Sequence, residues 1–356
     1  MTQDVLFSVD KHGLATITLN RPKAINSLTH EMIAAIGQRL QEWASDEQVR
    51  LVVVKGEGSK GLCAGGDIKA LYEANTSAEA MEKAVRFFAD EYQVDQLIYE
   101  FAKPVVAILD GVVMGGGVGL TYGASHRIVT ERTKWSMPEM NIGFFPDVGA
   151  AYFLNQAPGQ IGKYLALTAA IIQAPDVLYS QAADAYMSSE RLESFLLALE
   201  QKDWSAAGDG AEAELNQLVA AYAENPAGAG RLAGVREQID RHFAFATLEE
   251  IVASLAAEES EFARETIEAL LSKSPSSLKV TLKQLIDGKY KTREECFATD
   301  LVLAQNFMRH PDFFEGVRSV LIDKDRSPRY AYRTLADVSP ELVERFFQAS
   351  DGVASS

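Results

Sequence analysis

Two carboxylates stand eight residues apart in an apolar segment near the middle of the chain. The segment, residues 137–149, reads Met-Pro-Glu-Met-Asn-Ile-Gly-Phe-Phe-Pro-Asp-Val-Gly and contains Glu139 and Asp147. Burial disfavours the charged form of a carboxylate and raises its pKa, which equips the group for proton transfer. The alternative is that both residues cap helices, with Asp147 ahead of a helix that begins near Ala150. The residues alone leave both interpretations open.

A first glycine-rich segment, Gly61–Lys69, follows an apolar run and precedes a helical pattern. Small residues such as Gly65 and Gly66 let a ligand approach the backbone closely, and Asp67 is placed to cap the helix behind them. Free backbone N–H groups at a helix start suit an oxyanion or a phosphate. A tight strand-to-helix turn that needs positive φ angles is the alternative explanation.

A second glycine-rich segment, Asp110–Gly119, contains three consecutive glycines at the start of an apolar helical pattern. It does not match a Walker loop, because no Gly-Lys-Ser/Thr follows, and it matches a dinucleotide-binding fingerprint poorly. It again leaves backbone donors unmasked. The alternative is packing, with glycines at the place where a helix crosses a strand closely.

The other candidates for chemistry are weaker. Cys63 and Cys296 cannot form a disulfide framework and favour a reducing compartment, and Cys63 is typical of a small apolar filler. Ser125-His126 is not a nucleophile elbow, since no Gly-x-Ser-x-Gly occurs there, and we expect His126 to pack or to face solvent. The five histidines are scattered, so we expect no metal site.

The elements that must position these segments alternate between strands and helices. Residues 5–20 have the alternation of a β-hairpin, and a helix is predicted from Thr29. Continuous apolar runs at 51–54 and 105–109, and the similar stretch 127–130, predict strands that are buried on both faces. Sites in open α/β sheets form at the carboxyl ends of strands, where the two glycine-rich segments are expected.

The chain is predicted to divide into four regions. We expect an α/β core that holds the site over 1–200, a variable helical and loop segment over 201–245, a helical region over 246–345 and a disordered tail over 346–356. Within them, Thr247-Leu-Glu-Glu predicts a capping box, and Asn225–Gly230 is typical of a loop or linker.

Charge and hydropathy exclude several classes of partner. The chain has 50 Asp and Glu residues and 34 Lys and Arg residues, so its net charge is −16. This charge disfavours generic binding to nucleic acid or to an anionic membrane, but it does not exclude the binding of a small anion. The apolar stretch Val105–Met114 is interrupted and too short to cross a bilayer, and the N-terminus lacks signal-peptide features. We therefore expect a soluble cytoplasmic protein that binds neither nucleic acid nor membrane.

Together, the three segments resemble the crotonase (enoyl-CoA hydratase/isomerase) superfamily, whose members bind acyl-CoA thioesters and polarise the thioester carbonyl with two backbone N–H groups. The resemblance covers residues 5–335 and includes the C-terminal stretches Ser274–Lys279, Glu315–Arg318 and Leu321–Asp325. It implies an α/β fold, a crotonase-like spiral of ββα units, with a C-terminal helical region that covers the acyl pocket.

The resemblance also implies roles for single residues. Gly66 and Gly116 correspond to the oxyanion-hole donors, and Glu139 and Asp147 to the catalytic carboxylates. Substrate binding is implied for Glu91 and for Gly116, Glu139 and Asp147. A solvated helix face is the alternative for Glu91.

Four positions are candidates for binding CoA. Arg21, Lys23 and Lys69 lie in loops predicted to flank the site and can supply cations for phosphates, and the backbone near Ala24 resembles the family's adenine pocket. Because CoA is part of the substrate, we expect no separate cofactor and no metal. Trimers and hexamers are common in the superfamily, so a homo-oligomer is an open expectation.

Within the superfamily, the chain is most similar to the 3-hydroxyisobutyryl-CoA hydrolase branch. Hydratases have a glutamate three residues beyond the second oxyanion glycine, where this chain has Gly119, and a small residue where it has Asp147. The resemblance implies hydrolysis of an acyl-CoA thioester, 3-hydroxyisobutyryl-CoA, to 3-hydroxyisobutyrate and CoA in valine catabolism. The alternatives are an enoyl-CoA hydratase or isomerase on the same scaffold and a non-catalytic acyl-CoA-binding relative.

Overall fold

The structure is a computed structural model that describes residues 3–349, apart from the side chain of Asp209. The chain forms two compact units, each built from three separate stretches. The first, here called the sheet unit, comprises the described residues up to Gly66, Gln93–Ser136 and Ile171–Ala233. The second, the helical unit, comprises Asp67–Tyr92, Met137–Ala170 and the described residues from Gly234 onward. The four regions predicted above follow chain order instead, and they stay predictions; the predicted tail lies outside the described residues from position 350.

Nine strands lie in the described part of the sheet unit and form two sheets, ordered β1-β2-β3-β5-β7-β9 and β4-β6-β8. In chain order they are β1 (Val5–Val9), β2 (Leu14–Leu19), β3 (Leu51–Gly56), β4 (Gly61–Cys63), β5 (Val105–Leu109), β6 (Val112–Met114), β7 (His126–Val129), β8 (Lys134–Ser136) and β9 (Ala185–Tyr186). The first pair is antiparallel, which confirms the predicted hairpin, and every other pairing is parallel.

Sixteen α-helices occur within residues 3–349. They are α1 (His30–Ser45), α2 (Ile68–Tyr72), α3 (Ala78–Tyr99), α4 (Gly116–Tyr122), α5 (Ala150–Leu154), α6 (Ile161–Thr168), α7 (Ala174–Tyr179), α8 (Ser189–Gln201), α9 (Ala211–Tyr222), α10 (Arg231–His242), α11 (Leu248–Ala256), α12 (Glu261–Leu271), α13 (Pro275–Gly288), α14 (Arg293–Phe307), α15 (Pro311–Val317) and α16 (Pro340–Phe346). A 3₁₀ turn spans Glu139–Ile142. No helix of the described chain combines the length and the apolar character needed to span a bilayer.

The larger sheet is built from apolar strands, as the sequence predicts. Strands β3, β5 and β7 lie side by side in parallel, with Val53 opposite Val106 and Ile108 opposite Ile128. These four side chains are buried in one core with Trp204, which precedes α9, and Leu215 on that helix. The segment after residue 200 is therefore anchored to the sheet by apolar packing, which its Ala- and Gly-rich composition does not indicate.

Side-chain caps define the starts of helices in both units. Thr29 accepts a hydrogen bond from Met32 N and caps α1, as predicted. Thr247 and Glu250 form the predicted capping box of α11. Asp67 stands at the start of α2, but its side chain does not make the predicted capping hydrogen bond. Short polar side chains elsewhere satisfy the N–H groups that a helix start leaves without partners.

Asn26 holds the loop between β2 and α1 to the turn between β3 and β4. Its side chain is fully buried, and its Nδ2 donates to Glu57 O and to Gly61 O, both at 3.0 Å. Its Oδ1 accepts the Arg21 N–H at 2.8 Å. All polar atoms of the amide are therefore used, and two backbone carbonyls depend on it.

We predict that Asn26→Asp lowers the free energy of unfolding by about 2–4 kcal/mol, because a carboxylate cannot donate to the two carbonyls. Denaturant unfolding of the purified chain measures this. Asn20→Asp is the matched control, since it changes the charge equally but removes one exposed bond to Gln3 O. Equal losses for the two variants would contradict the role assigned to Asn26.

Candidate active site

The two glycine-rich turns of the sheet unit lie against each other. Gly65 follows β4 and Gly116 follows β6, and these strands are parallel neighbours. A Cβ placed on Gly65 would lie 3.2 Å from Met114 O and 3.6 Å from Gly116 N. Gly65 has a φ of +99°, so both the space and the backbone angle require glycine there. The structure thus brings together the segments of the two predicted oxyanion donors, Gly66 and Gly116.

The three consecutive glycines serve different purposes. Gly116 is the first residue of α4, a position whose N–H has no acceptor within its own helix. Gly117 is a packing glycine, because a Cβ there would lie 2.6 Å from the Cβ of Cys63. Cys63 is buried, as expected of an apolar filler. The packing interpretation therefore holds for Gly117, and the role of Gly116 as a donor stays a prediction.

The loop predicted to bind CoA runs beside the first glycine turn. Leu28 N donates to Gly65 O at 2.9 Å, and Ala64 N donates to Ile25 O at 3.0 Å. In this loop the Arg21 guanidinium donates to Ser27 O at 2.6 Å, whereas Lys23 and Ala24 are exposed.

Lys69, on α2 of the helical unit, is also exposed. The CoA-binding role of Arg21, Lys23, Ala24 and Lys69 stays a prediction.

Three carboxylates are buried together in the helical unit. Glu91 on α3, Glu139 in the 3₁₀ turn and Asp147 before α5 are exposed by only 2%, 8% and 5%. Burial and the Asp147 charge raise the pKa of Glu91 and of Glu139, and burial raises the pKa of Asp147 to about 7. No cation contributes to any of these three pKa shifts. The solvated-face alternative for Glu91 is therefore wrong.

Hydrogen bonding distinguishes the three carboxylates. Tyr92 donates its Oη–H to Asp147 Oδ2 at 2.6 Å. Glu91 Oε1 and Glu139 Oε2 are buried and have no hydrogen-bond partner among the described residues. Buried polar atoms normally have partners, so two such atoms in one cluster mark a place where a ligand or water is expected to bind.

Asp147 does not cap a helix, because the N-cap residue of α5 is Gly149 and the Asp147 carboxylate binds Tyr92 instead. The next residue, Val148, has a φ of +52°, a strained angle for a β-branched side chain. Such strain persists only where the surrounding structure fixes the backbone.

Asp300 and Gln284 fix the backbone on both sides of Asp147. Gly149 N donates to Asp300 Oδ2 at 2.8 Å, and Gln284 Nε2 donates to Pro146 O at 3.0 Å and to Asp300 Oδ1 at 2.8 Å. Both side chains are buried. Sequence reasoning missed them, although a polar residue at a buried position of α13 or α14 is the signal that could have found them.

The turn that carries Glu139 packs closely on α15. A Cβ on Gly316 would overlap the backbone of Ile142, and one on Gly143 would overlap the carbonyl of Asp312. The Asp312 carboxylate in turn accepts hydrogen bonds from Ser274 Oγ at 2.6 Å and Ser276 Oγ at 2.9 Å. Two of the C-terminal stretches singled out in the sequence therefore support this turn.

The described part of the chain contains no group of three or more His, Cys, Asp or Glu residues arranged to hold a metal ion. His126 is buried and bonded to Ser125 Oγ at 2.9 Å and Asn216 Oδ1 at 2.8 Å, so it packs, as expected.

We predict that Asp147→Asn stabilises the protein at alkaline pH. The pKa of Asp147 is about 7 in the folded chain and near 3.8 when unperturbed, so the folded state binds more protons between these values. Its contribution to stability therefore falls as the pH rises from about 4 to about 7. At pH 8 the variant should gain on the order of 2 kcal/mol in unfolding free energy, and little at pH 4.

Denaturant unfolding across this pH range measures the difference. Glu259→Gln, which removes an exposed carboxylate of the same unit, is the control and should leave the pH dependence unchanged. A gain for Asp147→Asn that is independent of pH would contradict the raised pKa.

Comparisons with known proteins agree on the family over nearly the whole chain. A family model described as enoyl-CoA hydratase/isomerase matches residues 14–347. The chain is 40% identical over 353 residues to a Danio rerio protein named "3-hydroxyisobutyryl-CoA hydrolase, mitochondrial", with 98% of this chain and 90% of that protein covered. It is 41% identical over 341 residues to the small ribosomal subunit protein mS47 of Neurospora crassa, with 90% and 66% covered.

Comparison with a solved structure identifies the same fold. The crystal structure of a carnitinyl-CoA dehydratase from Mycobacterium thermoresistibile matches with a TM-score of 0.89 at 37% identity and covers 99% of this chain and 98% of that one. The crotonase-like fold expected from the resemblance is therefore confirmed. The chain belongs to the enoyl-CoA hydratase/isomerase family.

Proposed function

We propose that the protein hydrolyses the thioester of 3-hydroxyisobutyryl-CoA to 3-hydroxyisobutyrate and CoA, a reaction of valine catabolism. The observation that carries the proposal is the buried trio of Glu91, Glu139 and Asp147, in which Glu139 Oε2 has no partner among the described residues. The relative from Danio rerio is named for this activity.

Glu139 is the proposed attacking group. Either its carboxylate adds to the carbonyl carbon and forms a mixed anhydride that water then hydrolyses, or it removes a proton from the water that adds. In both cases the C–S bond breaks, the acyl group takes up hydroxide, and CoA leaves as a thiolate that takes up a proton. The resemblance assigns the N–H groups of Gly66 and Gly116 to the oxyanion, a kind of stabilisation that is worth about 10²–10³ in kcat per donor.

Asp147 and Glu91 are proposed to contact the acyl chain. Tyr92 fixes Asp147 Oδ2, which leaves Oδ1 for the 3-hydroxyl group of the substrate or for the attacking water. With a pKa of about 7, Asp147 is partly protonated at neutral pH and can accept or donate a hydrogen bond. Because the three carboxylates repel one another when they are charged, their titrations should be coupled.

Some of the similar proteins are named for other functions, so sequence identity by itself does not choose between activities. A dehydratase and a ribosomal subunit protein match about as well as the hydrolases do. The residues favour hydrolysis: Gly119, buried in α4, has no side chain to hold a water where hydratases have a glutamate, and Asp147 is present and buried. A buried, strained and uncompensated carboxylate cluster is also costly to keep in a non-catalytic relative.

We predict that Glu139→Gln lowers kcat for 3-hydroxyisobutyryl-CoA by about 10²–10⁴-fold, because the amide can neither attack nor act as a base. Release of free thiol, followed with a thiol reagent, measures the rate. Glu268→Gln, an exposed change on α12, is the control and should leave the rate unchanged. Wild-type turnover by Glu139→Gln would overturn the mechanism.

The same wild-type protein should be assayed for hydration of short enoyl-CoAs and for release of thiol from other acyl-CoAs. Hydration without thiol release would replace the proposal with the hydratase alternative. Neither activity, with tight binding of CoA retained, would favour the non-catalytic alternative.

We predict that Gln284→Leu lowers kcat by about 10–100-fold with little change in KM, because Pro146 O and Asp300 lose the donor that fixes the Asp147 turn. The pH profile of kcat should also shift, since the Asp147 environment changes. Ser339→Ala, which removes a helix cap in the same unit, is a destabilised control that should leave kcat and the pH profile unchanged. A Gln284→Leu enzyme with the wild-type profile would make this pair of contacts purely structural.

The cellular compartment and the assembly state are proposed from the sequence. We keep a reducing compartment as the proposal, because two cysteines, Cys63 and Cys296, cannot form a disulfide framework. We predict a cytoplasmic location, whereas the vertebrate relatives are named as mitochondrial proteins. A homo-oligomer and the lack of a separate cofactor stay predictions.

A further inference from the structure

A groove of about 350 Å³ lies between α13, α14 and the C-terminal end of α16 in the helical unit. Two cations and two carboxylates line it: Lys283, Asp287, Lys291 and Glu344. We call it the dipolar groove. Its volume lies within the range of small-molecule sites. None of the three buried carboxylates of the candidate active site lines it, so it is a second cavity of the same unit.

The charges of the dipolar groove are separated into a negative and a positive end. Lys283 Nζ lies 3.0 Å from Asp287 Oδ2 and 3.0 Å from Glu344 Oε1, so two carboxylates share one ammonium group. Lys291 donates its Nζ–H to Thr299 Oγ1 at 2.8 Å and forms no ion pair with any described residue. The groove therefore has an excess negative charge beside Lys283 and an uncompensated positive charge at Lys291.

The Lys291 ammonium group is held in a fixed place. Thr299 donates its own hydroxyl hydrogen to Glu295 O at 2.8 Å, which leaves its oxygen to accept from Lys291. A lysine ammonium group has three N–H donors, so two of them remain for a ligand. The positive end of the groove is thus oriented before any ligand binds.

The dipolar groove also has an apolar wall. Ala298 and Val302, one turn apart on α14, and the ring of Phe347 after α16 line it. The Lys283 ammonium group lies 5.2 Å from the centre of the Phe347 ring, a favourable cation–π distance. Ala298 is exposed, and Val302 and Phe347 are only partly buried, so this apolar surface is open to a ligand.

We propose that the dipolar groove binds the zwitterion of an apolar α-amino acid as an effector. The carboxylate of the ligand accepts hydrogen bonds from Lys291, its ammonium group donates to Asp287 and Glu344, and its side chain packs on the apolar wall. The two carboxylates of the groove repel a simple anion, and the two ammonium groups repel a simple cation. A molecule with both charges and an apolar side chain therefore matches the groove best.

The dipolar groove shares two helices with the turn that contains Asp147. Two of its lining residues are followed directly in the chain by Gln284 and Asp300, which hold the backbone on both sides of Asp147. Burial raises the pKa of Asp300, and the charge of Lys291 opposes this rise. A ligand carboxylate on Lys291 neutralises that charge, so Asp300 becomes a weaker acceptor for the Gly149 N–H. Binding is therefore expected to loosen the turn and to lower kcat, an effect that rests on the proposed function.

Calorimetric titration of the full chain tests binding without turnover, so it is decisive even for a protein that hydrolyses nothing. L-Leucine is the probe and should bind with a Kd on the order of 1 mM or tighter. The analogues 4-methylpentanoate and 3-methylbutylamine each lack one of its charges and should bind about tenfold more weakly, the cost of a charged hydrogen bond. Glycine, which has no apolar side chain, should also bind more weakly.

Two variants locate the site of binding. Lys291→Gln removes the partner of the ligand carboxylate, and Glu344→Gln removes a charged partner of the ligand ammonium group. Each should lower the affinity for leucine about tenfold. Lys289→Gln and Glu341→Gln are the matched controls, because they make the same changes at exposed positions that do not line the groove.

The effector role has one readout that needs turnover and one that does not. Saturating leucine should lower kcat for 3-hydroxyisobutyryl-CoA about fivefold or more in the wild type and in both controls. It should leave the kcat of Lys291→Gln unchanged. Hydrogen exchange at the Gly149 amide, followed by mass spectrometry, should become faster with leucine, because its bond to Asp300 weakens.

Three binding results would overturn the proposal. The first is the absence of a heat of binding for leucine up to about 10 mM. The second is either single-charge analogue binding as tightly as leucine, because the groove would then be a plain ion site. The third is wild-type affinity in both Lys291→Gln and Glu344→Gln, which would place leucine elsewhere. Binding at the groove with unchanged kcat and unchanged exchange at Gly149 would overturn the effector role.

Discussion

The structure of the helical unit depends on the burial of three carboxylates without a cation to neutralise them. Moving a charged carboxylate from water into a protein interior costs several kcal/mol, and a protein avoids this cost by pairing the group or by keeping it protonated. Glu91, Glu139 and Asp147 have no such pairing, so their pKa values rise. The unit thus holds three carboxyl groups whose pKa values are raised by burial, and perturbed pKa values of this kind are typical of groups that do acid–base chemistry.

The cost of this cluster explains the arrangement around it. Tyr92 donates a hydrogen bond to the Asp147 carboxylate, and the backbone next to it is strained at Val148. Gln284 and Asp300 hold the backbone on either side of Asp147 by hydrogen bonds to Pro146 O and from Gly149 N. Asp300 is itself buried, and burial raises its pKa as well. The helices α13 and α14, which lie far from Asp147 in the sequence, thus hold the turn that contains Asp147. Helix α15 holds the turn that contains Glu139 by close backbone packing.

The sheet unit brings two glycine turns together at the ends of buried strands, where we propose the backbone donors of the oxyanion hole. Parallel pairing of β4 with β6 places two glycine turns side by side, and the left-handed φ of Gly65 lets the backbones approach. The chemistry proposed here is in the main chain, so it depends on the absence of side chains. Gly117, which only makes room for Cys63, shows that neighbouring glycines in one motif need not share one purpose.

The sequence by itself determined the family, the alternation of strands and helices, and the segments in which we propose the chemistry. The hairpin, the buried strands, the capping box at Thr247 and the fold class were predicted correctly, because local periodicity and caps are written in neighbouring residues. Only the tertiary structure decided that Glu91 is buried and that Tyr92 binds Asp147. It also decided that Gln284 and Asp300 hold the backbone beside Asp147. These features arise from contacts between residues far apart in sequence, and no local pattern records which distant side chain will be buried beside which.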